Sequence, residues 1–132
     1  MAYISNSDIS RDMLAAQFLS SFSTYHTLVD EHIVELADEE QIQPADISVD
    51  GSGYLSSKFF RRYAAAWVCM ELFKDKMGIN NTNLADEEKY RVKYEIYKKE
   101  VSEMSKRISK EIITNEVESR ADTFRTGMLF RQ

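Results

Sequence analysis

The sequence predicts an all-α protein: a small bundle of about four helices, with two long antiparallel members and an extended C-terminal tail. Three observations predict it. The chain of 132 residues contains four glycines and a single proline, Pro44, fewer than the turns of an all-β chain normally use. Two long segments, "YLSSKFFRRYAAAWVCMELFKDKMG" and "DEEKYRVKYEIYKKEVSEMSKRISKEI", place apolar residues at helical spacing. In the second, Tyr90, Tyr94, Tyr97, Val101, Met104 and Ile108 fall at alternating intervals of four and three, the a/d seam of a helix that packs along a partner. A chain of this length buries one sizeable core. Residues 1–115 are therefore assigned to one helical domain and residues 116–132 to a tail.

Near the N-terminus, Ser7 is expected to cap a short first helix with Ile9, Met13, Leu14 and Phe18 on one face. The polar cluster "SSFST" interrupts it, and Ser23 or Thr24 is expected to cap a second helix. That helix carries Tyr25, Val29, Ile33 and Leu36 and ends near Gln41. "QPADISVDGSG" has the chemistry of turns, which places a loop over residues 42–53.

The core helix is expected next, with a stripe of Leu55, Phe59, Tyr63, Ala66, Trp67, Met70, Phe73 and Met77. Gly78 is placed at its C′ position, and Lys74 and Lys76 favour the negative end of its dipole. Asn83 is expected to cap the last helix, with Asp86, Glu87 and Glu88 in the first turn and Lys106, Arg107 and Lys110 near the end. Running to about Asn115, it would have roughly 30 residues and a length of about 45 Å. Its tyrosine seam is expected to pack on the stripe of the core helix, with Tyr63 and Trp67 facing Tyr90, Tyr94 and Tyr97.

The charge is polarised along the chain. Through Ser57 one arginine, Arg11, stands against ten carboxylates, whereas from Lys58 onward sixteen basic residues face twelve acidic ones. Such a split suits an acidic surface that meets a basic surface on another copy, or a chain that presents one sign to a partner, and two ordinary solvated faces are the alternative. The net charge of -5 and a pI near 5.1, with the basic residues interleaved with glutamates, argue against binding a phosphate backbone.

No motif for catalysis, cofactor binding or metal binding emerges, and the chain is not expected to be an enzyme. His26 and His32 lie on different helical faces, and no Glu-x-x-His pair occurs. In "DISVDGSG", Asp46 and Asp50 miss the spacing of a calcium loop, and "GSG" lacks the remainder of a phosphate-binding loop. There is no G-x-S-x-G, and Cys69, the only cysteine, sits in the apolar run "AAAWVCMELF", as a buried residue in a reducing compartment would. The start lacks the basic and apolar regions of a signal peptide. Residues 13–29 carry no Asp, Glu, Lys or Arg but are too rich in Ser, Thr, Gln and His to span a membrane.

The succession of a short capped helix, an acidic helix, a glycine-containing loop, the "YAAAWVCMELF" helix, an Asn-rich turn and the "KYxxYKKxVxxM" helix resembles the head-tail connector adaptor proteins of tailed bacteriophages. The resemblance implies a virion protein of the head-tail interface, made in the bacterial host cytoplasm. It implies a homo-oligomeric ring, twelve-fold by expectation, that sits on the portal protein and extends the DNA channel. Such a ring docks the next connector or tail protein, passes DNA without sequence-specific contact, and uses no cofactor, metal or membrane.

The residues of the tail alone suit either a strand that closes the domain or a clip for a partner. Carried onto this chain, the resemblance makes the tail the segment that binds the portal or a neighbour, through Arg120, Phe124, Arg125, Met128, Leu129, Phe130 and Arg131. Aromatic and arginine side chains dominate interface energetics. Asp30, Glu31, Glu35, Asp38, Glu39 and Glu40 become a candidate channel-facing surface that keeps DNA from sticking, with a solvent-facing or neighbour-facing role as the alternative. Two other classes stay open. One is a helical interaction module that dimerises through the last helix, and the other is a small DNA-binding protein using Arg61 and Arg62.

Overall fold

Helix formation starts two residues earlier than the sequence predicts, because Ser5 and Asp8 cap each other. In the computed structural model, which describes residues 2–78 and 84–115, the Asp8 N–H donates to the Ser5 hydroxyl at 3.3 Å. The Ser5 N–H donates to the Asp8 carboxylate at 2.8 Å. This capping box opens α1 (Asn6–Ser10). Asp12 then turns the chain, its Oδ1 accepting from the N–H groups of Leu14 and Ala15 at 2.9 and 3.0 Å. Met13, expected on the apolar face, is 85% exposed at this turn, whereas Ile9 is fully buried and Leu14 and Phe18 pack partly on the core.

A 3-10 stretch, Ala15–Ser21, bends at Phe18 and leads into α2 (Phe22–Glu39). Ser23 and Thr24, the expected caps, lie inside α2 on its exposed side. The helix buries Phe22, Tyr25, Val29, Ile33 and Ala37, with Leu36 only half-buried. It ends where predicted. Gln41 adopts φ 60°, its N–H donates to the Asp38 carbonyl at 2.9 Å, and the Ile42 N–H reaches the Ala37 carbonyl at 2.8 Å, which is the Schellman pattern with glutamine in the left-handed position.

The following loop is longer than predicted and is pinned at both sides. After a 3-10 turn at Pro44–Asp46, Val49 and Leu55 form an isolated antiparallel bridge. The Leu55 N–H donates to the Tyr3 carbonyl at 2.8 Å, and the Ser48 N–H donates to the Ile113 carbonyl at 3.1 Å. Leu55 is buried, but through this bridge and not as part of the core helix. That helix, α3 (Lys58–Gly78), starts after Ser57, whose hydroxyl accepts from the Phe60 N–H at 3.2 Å. Gly78 is its last residue and not a position beyond it. Asn83, the expected cap of the next helix, lies outside the described residues.

α3 and α4 (Leu84–Ser105) run antiparallel, as their contacts show. Phe73 stacks with Tyr90 and Tyr97 at 6.2 and 6.1 Å between ring centroids, Arg62 meets Glu100 at 3.4 Å, and Arg107 lies 4.6 Å from the Phe59 ring. Positions descend along α3 as they ascend past α4. The whole predicted seam belongs to the core of this one chain: Met104 is buried, and Tyr90, Tyr94, Tyr97, Val101 and Ile108 pack against it. Its aromatic partners are Phe73 and, at Tyr90, Phe18, whose ring meets it edge-on at 5.8 Å. Trp67 is turned the other way and stacks on His32 of α2 at 4.6 Å and 11°.

The predicted helix of roughly 30 residues is broken. α4 stops at Ser105, whose hydroxyl donates to the Ser102 carbonyl at 2.9 Å, and Ser109 is extended. The continuous part of α4 is therefore about 33 Å long. Beyond Ser109 the chain forms the short α5 (Lys110–Ile113), which folds back onto the core and buries Ile113 at 1% exposure. No strand occurs among the described residues.

Because Phe73 is fully buried between two tyrosines of α4, Phe73→Ala is expected to lower unfolding free energy by about 3–5 kcal/mol. Urea denaturation followed by circular dichroism measures this. A loss below about 1 kcal/mol would contradict the packing.

Candidate functional site

The acidic residues singled out in the sequence separate once folded. Glu31, Glu35, Asp38, Glu39 and Glu40 are exposed, but Asp30 is half-buried and accepts the Tyr3 N–H at 3.1 Å. Burial pushes the Asp30 carboxyl above its ordinary value despite that bond. Asp30 is thus an anchor for the N-terminal segment. Glu31, Glu35 and Asp38 remain together as one open row at i, i+4 and i+7 on α2, with no ion pair among the described residues. Glu35 and Glu39 both lie near His32, Glu39 also near Tyr63, and Glu40 is the C-cap of α2. Arg120, Phe124, Arg125, Met128, Leu129, Phe130 and Arg131 lie outside the described residues.

A feature the sequence did not reveal lies between α1, α3 and α4: a groove of about 520 Å³ with basic side chains on its rim and a carboxylate in its floor. Asp12, with a side chain only 3% exposed, forms that floor. Its Oδ2 accepts from the Tyr97 hydroxyl at 2.5 Å and from Lys93 Nζ at 3.0 Å. Burial alone would raise the Asp12 carboxyl. The bonds from Tyr97, the Ala15 N–H and Lys93 outweigh it and hold the group below its ordinary value.

The rim is built from Arg11, Lys58, Arg61 and Arg62. Arg61 is committed: its Nε donates to Asp8 at 2.7 Å and its guanidinium lies 5.0 Å from the Tyr54 ring centre. Arg62 is largely exposed and pairs with Glu100. Arg11 and Lys58 are exposed and make no ion pair among the described residues. Cys69 also lines the groove. Burial, with the Asp12 charge as a further cause, pushes its thiol up to about 12, so near neutral pH it carries a proton and is a poor nucleophile. What the groove offers chemically is a place for negative charge above an apolar and already neutralised floor.

The groove and the acidic row lie on opposed sides of α3. At about 100° per residue, Lys58, Arg62, Ala65 and Cys69 form the groove-lining row. Tyr63 and Trp67 form the row nearly opposite, which meets His32 of α2. His32 Nε2 lies 2.9 Å from the Tyr63 hydroxyl, and burial lowers its pKa. His26 is engaged elsewhere, with Nε2 2.6 Å from Asn6 Oδ1. No group of three His, Cys, Asp or Glu side chains among the described residues could hold a metal ion, and no described helix is long and apolar enough to cross a membrane.

One signal of the groove was visible in the sequence: Arg11 is the only basic residue before Lys58. That it faces Lys58 and Arg62 depends on the Asp12 contact with α4, which no local pattern encodes. No protein-family model matches this chain, and neither a curated protein nor a solved structure matches it.

Two outcomes test this geometry. A carboxyl held below its ordinary value stabilises the fold above that value, and the stabilisation is lost as pH falls through the depressed one. Asp12→Asn is therefore expected to cost about 1–3 kcal/mol at pH 7 and to flatten the pH dependence of stability below about pH 4, read from urea melts across pH. The Cys69 thiol is expected to resist alkylation in the native protein at neutral pH and to react once urea unfolds it. Fast labelling of the native state would contradict its burial.

Proposed function

We propose that this chain is a structural assembly protein, a head-tail connector adaptor of a tailed bacteriophage. In this proposal it joins a ring under the portal, extends the DNA channel and docks the next connector or tail component. The observation that supports an assembly role is the use of the α4 seam. The tyrosine row that would make a dimer interface is spent against Phe73 of the same chain. Beside exposed apolar side chains such as Val92 and Ile96 on α4, the described residues leave two charged surfaces of opposite sign on opposite sides of α3, the arrangement a heterologous contact between identical copies uses.

The specific identity as a connector comes from the sequence resemblance. It assigns the grip on the portal to residues 120–132, with Phe124, Leu129 and Phe130 as apolar anchors and Arg120, Arg125 and Arg131 as charged ones. The location in the virion and the twelve-fold symmetry belong to the same proposal. Binding of duplex DNA is disfavoured by the net charge and by the pairing of Arg61 and Arg62 with Asp8 and Glu100.

The test is electron microscopy of the purified chain mixed with the portal ring encoded alongside it. The expected result is a new ring of density at the base of the portal, following its symmetry. Deleting residues 120–132 is expected to abolish that density and leave the helical circular dichroism signal unchanged. A truncated chain that still docks, or one that unfolds, would show that the tail is not the portal clip.

A further inference from the structure

We infer that Glu31, Glu35 and Asp38 on α2 of one copy seat in the groove bounded by Arg11, Lys58 and Arg62 of the next, joining copies head to tail. The inference deepens the proposed function and rests on its head-to-tail assembly, not on the portal. It gives the acidic row to a neighbour and not to the channel.

The groove's own carboxylates are already neutralised. Asp8 is held by Arg61, Asp12 by Lys93 and Tyr97, and Glu100 by Arg62. Arg11 and Lys58 therefore add positive charge that nothing among the described residues balances. The α2 row is the complement, three exposed carboxylates in a stretch, residues 13–57, that contains no Lys or Arg.

The spacings match as well. Glu31 and Glu35 are four residues apart on α2, and Lys58 and Arg62 are four apart on α3, so each pair spans about 6 Å along its helix axis. Lys58 is unpaired among the described residues, and the largely exposed Arg62 would be shared between Glu100 and the neighbour's carboxylate. Arg11, at the C-cap of α1, borders the same groove and is available to the third carboxylate, Asp38.

Placement decides the kind of contact. Two complementary surfaces on one side of a protomer allow a closed, two-fold dimer. Here the surfaces lie on opposed sides of α3, so each contact leaves one donor and one acceptor surface unfilled, and association continues into a ring or a filament. Duplex DNA is the competing anionic occupant. The chain's net charge of -5 and the acidic row it carries oppose that alternative.

Isotope-labelled and unlabelled chains are mixed at high concentration and low salt and treated with a carbodiimide, which couples carboxylates to amines in direct contact. The expected product is a mixed-isotope crosslink between Lys58 and Glu31 or Glu35, reduced about tenfold or more in about 0.5 M salt, where exposed charges are screened. By sedimentation equilibrium at the same high concentration and low salt, the pair Arg11→Glu and Lys58→Glu, and separately the pair Glu31→Lys and Glu35→Lys, should each weaken self-association about tenfold or more. The fourfold variant carrying both pairs has the original net charge and should recover it. Circular dichroism confirms that each variant is folded.

Absence of the mixed-isotope crosslink, or a fourfold variant that stays dissociated, overturns the inference. So does loss of duplex DNA binding by the groove variant with self-association unchanged. The proposed function fails separately: a crosslink without portal docking removes the connector and keeps the head-to-tail contact, whereas portal rings formed equally well by both charge variants do the reverse.

Discussion

Phe73 sets the register on which the rest of the molecule depends. Its ring is fully buried and stacks on Tyr90 and Tyr97, seven residues apart on α4, so the two helices fit together in one phase. Because of that phase, Tyr97 reaches Asp12, Glu100 meets Arg62 and Arg107 covers Phe59. A slip of one residue along α4 would rotate these side chains by about 100° and dismantle both the floor of the groove and part of its rim. The charged surface is thus a consequence of an apolar fit.

Asp12 is the second fixed point, and it works at two ranges. Its Oδ1 closes a local turn through Leu14 and Ala15, while its Oδ2 reaches more than eighty residues along the chain to Lys93 and Tyr97. Burying a carboxylate is costly without such partners, and four of them offset the cost here. The turn has a directional effect on its neighbours. With Asp12 drawn inward, Arg11 stands at the mouth of the groove and Met13 points to solvent. One buried charge therefore decides where an exposed one is displayed.

The parts of this architecture that were legible in the sequence are those set by periodicity. The a/d seam of α4 and the row Tyr25, Val29 and Ile33 of α2 are repeating patterns, and both pack as the spacing requires. Boundaries were less legible because caps compete locally. Ser5 wins over Ser7 because Asp8 completes a reciprocal box, and Ser105 and Ser109 end a pattern that Ile108 and Ile112 carry onward. Partners were least legible: Trp67 looked like a seam residue, yet its position on α3 turns it toward His32. The acidic row could be counted from the sequence, but its separation from Asp30 required the Tyr3 contact, and the groove required three elements to meet.

The proposed contact between copies is weak by construction, and this bears on when a ring would form. Exposed ion pairs contribute about 0.2–1 kcal/mol each, so three of them, together with the modest apolar area at the mouth of a groove, fall far short of the roughly 8 kcal/mol of a micromolar complex. Such a surface leaves isolated copies separate at ordinary concentrations. It becomes effective once a second attachment raises the local concentration, because each later copy then binds as an intramolecular step. Under the proposed function that second attachment is the tail, held by the portal, and the charge pairs set order and direction around the ring. A stronger apolar interface would remove this dependence on the template, and assembly would no longer wait for the portal.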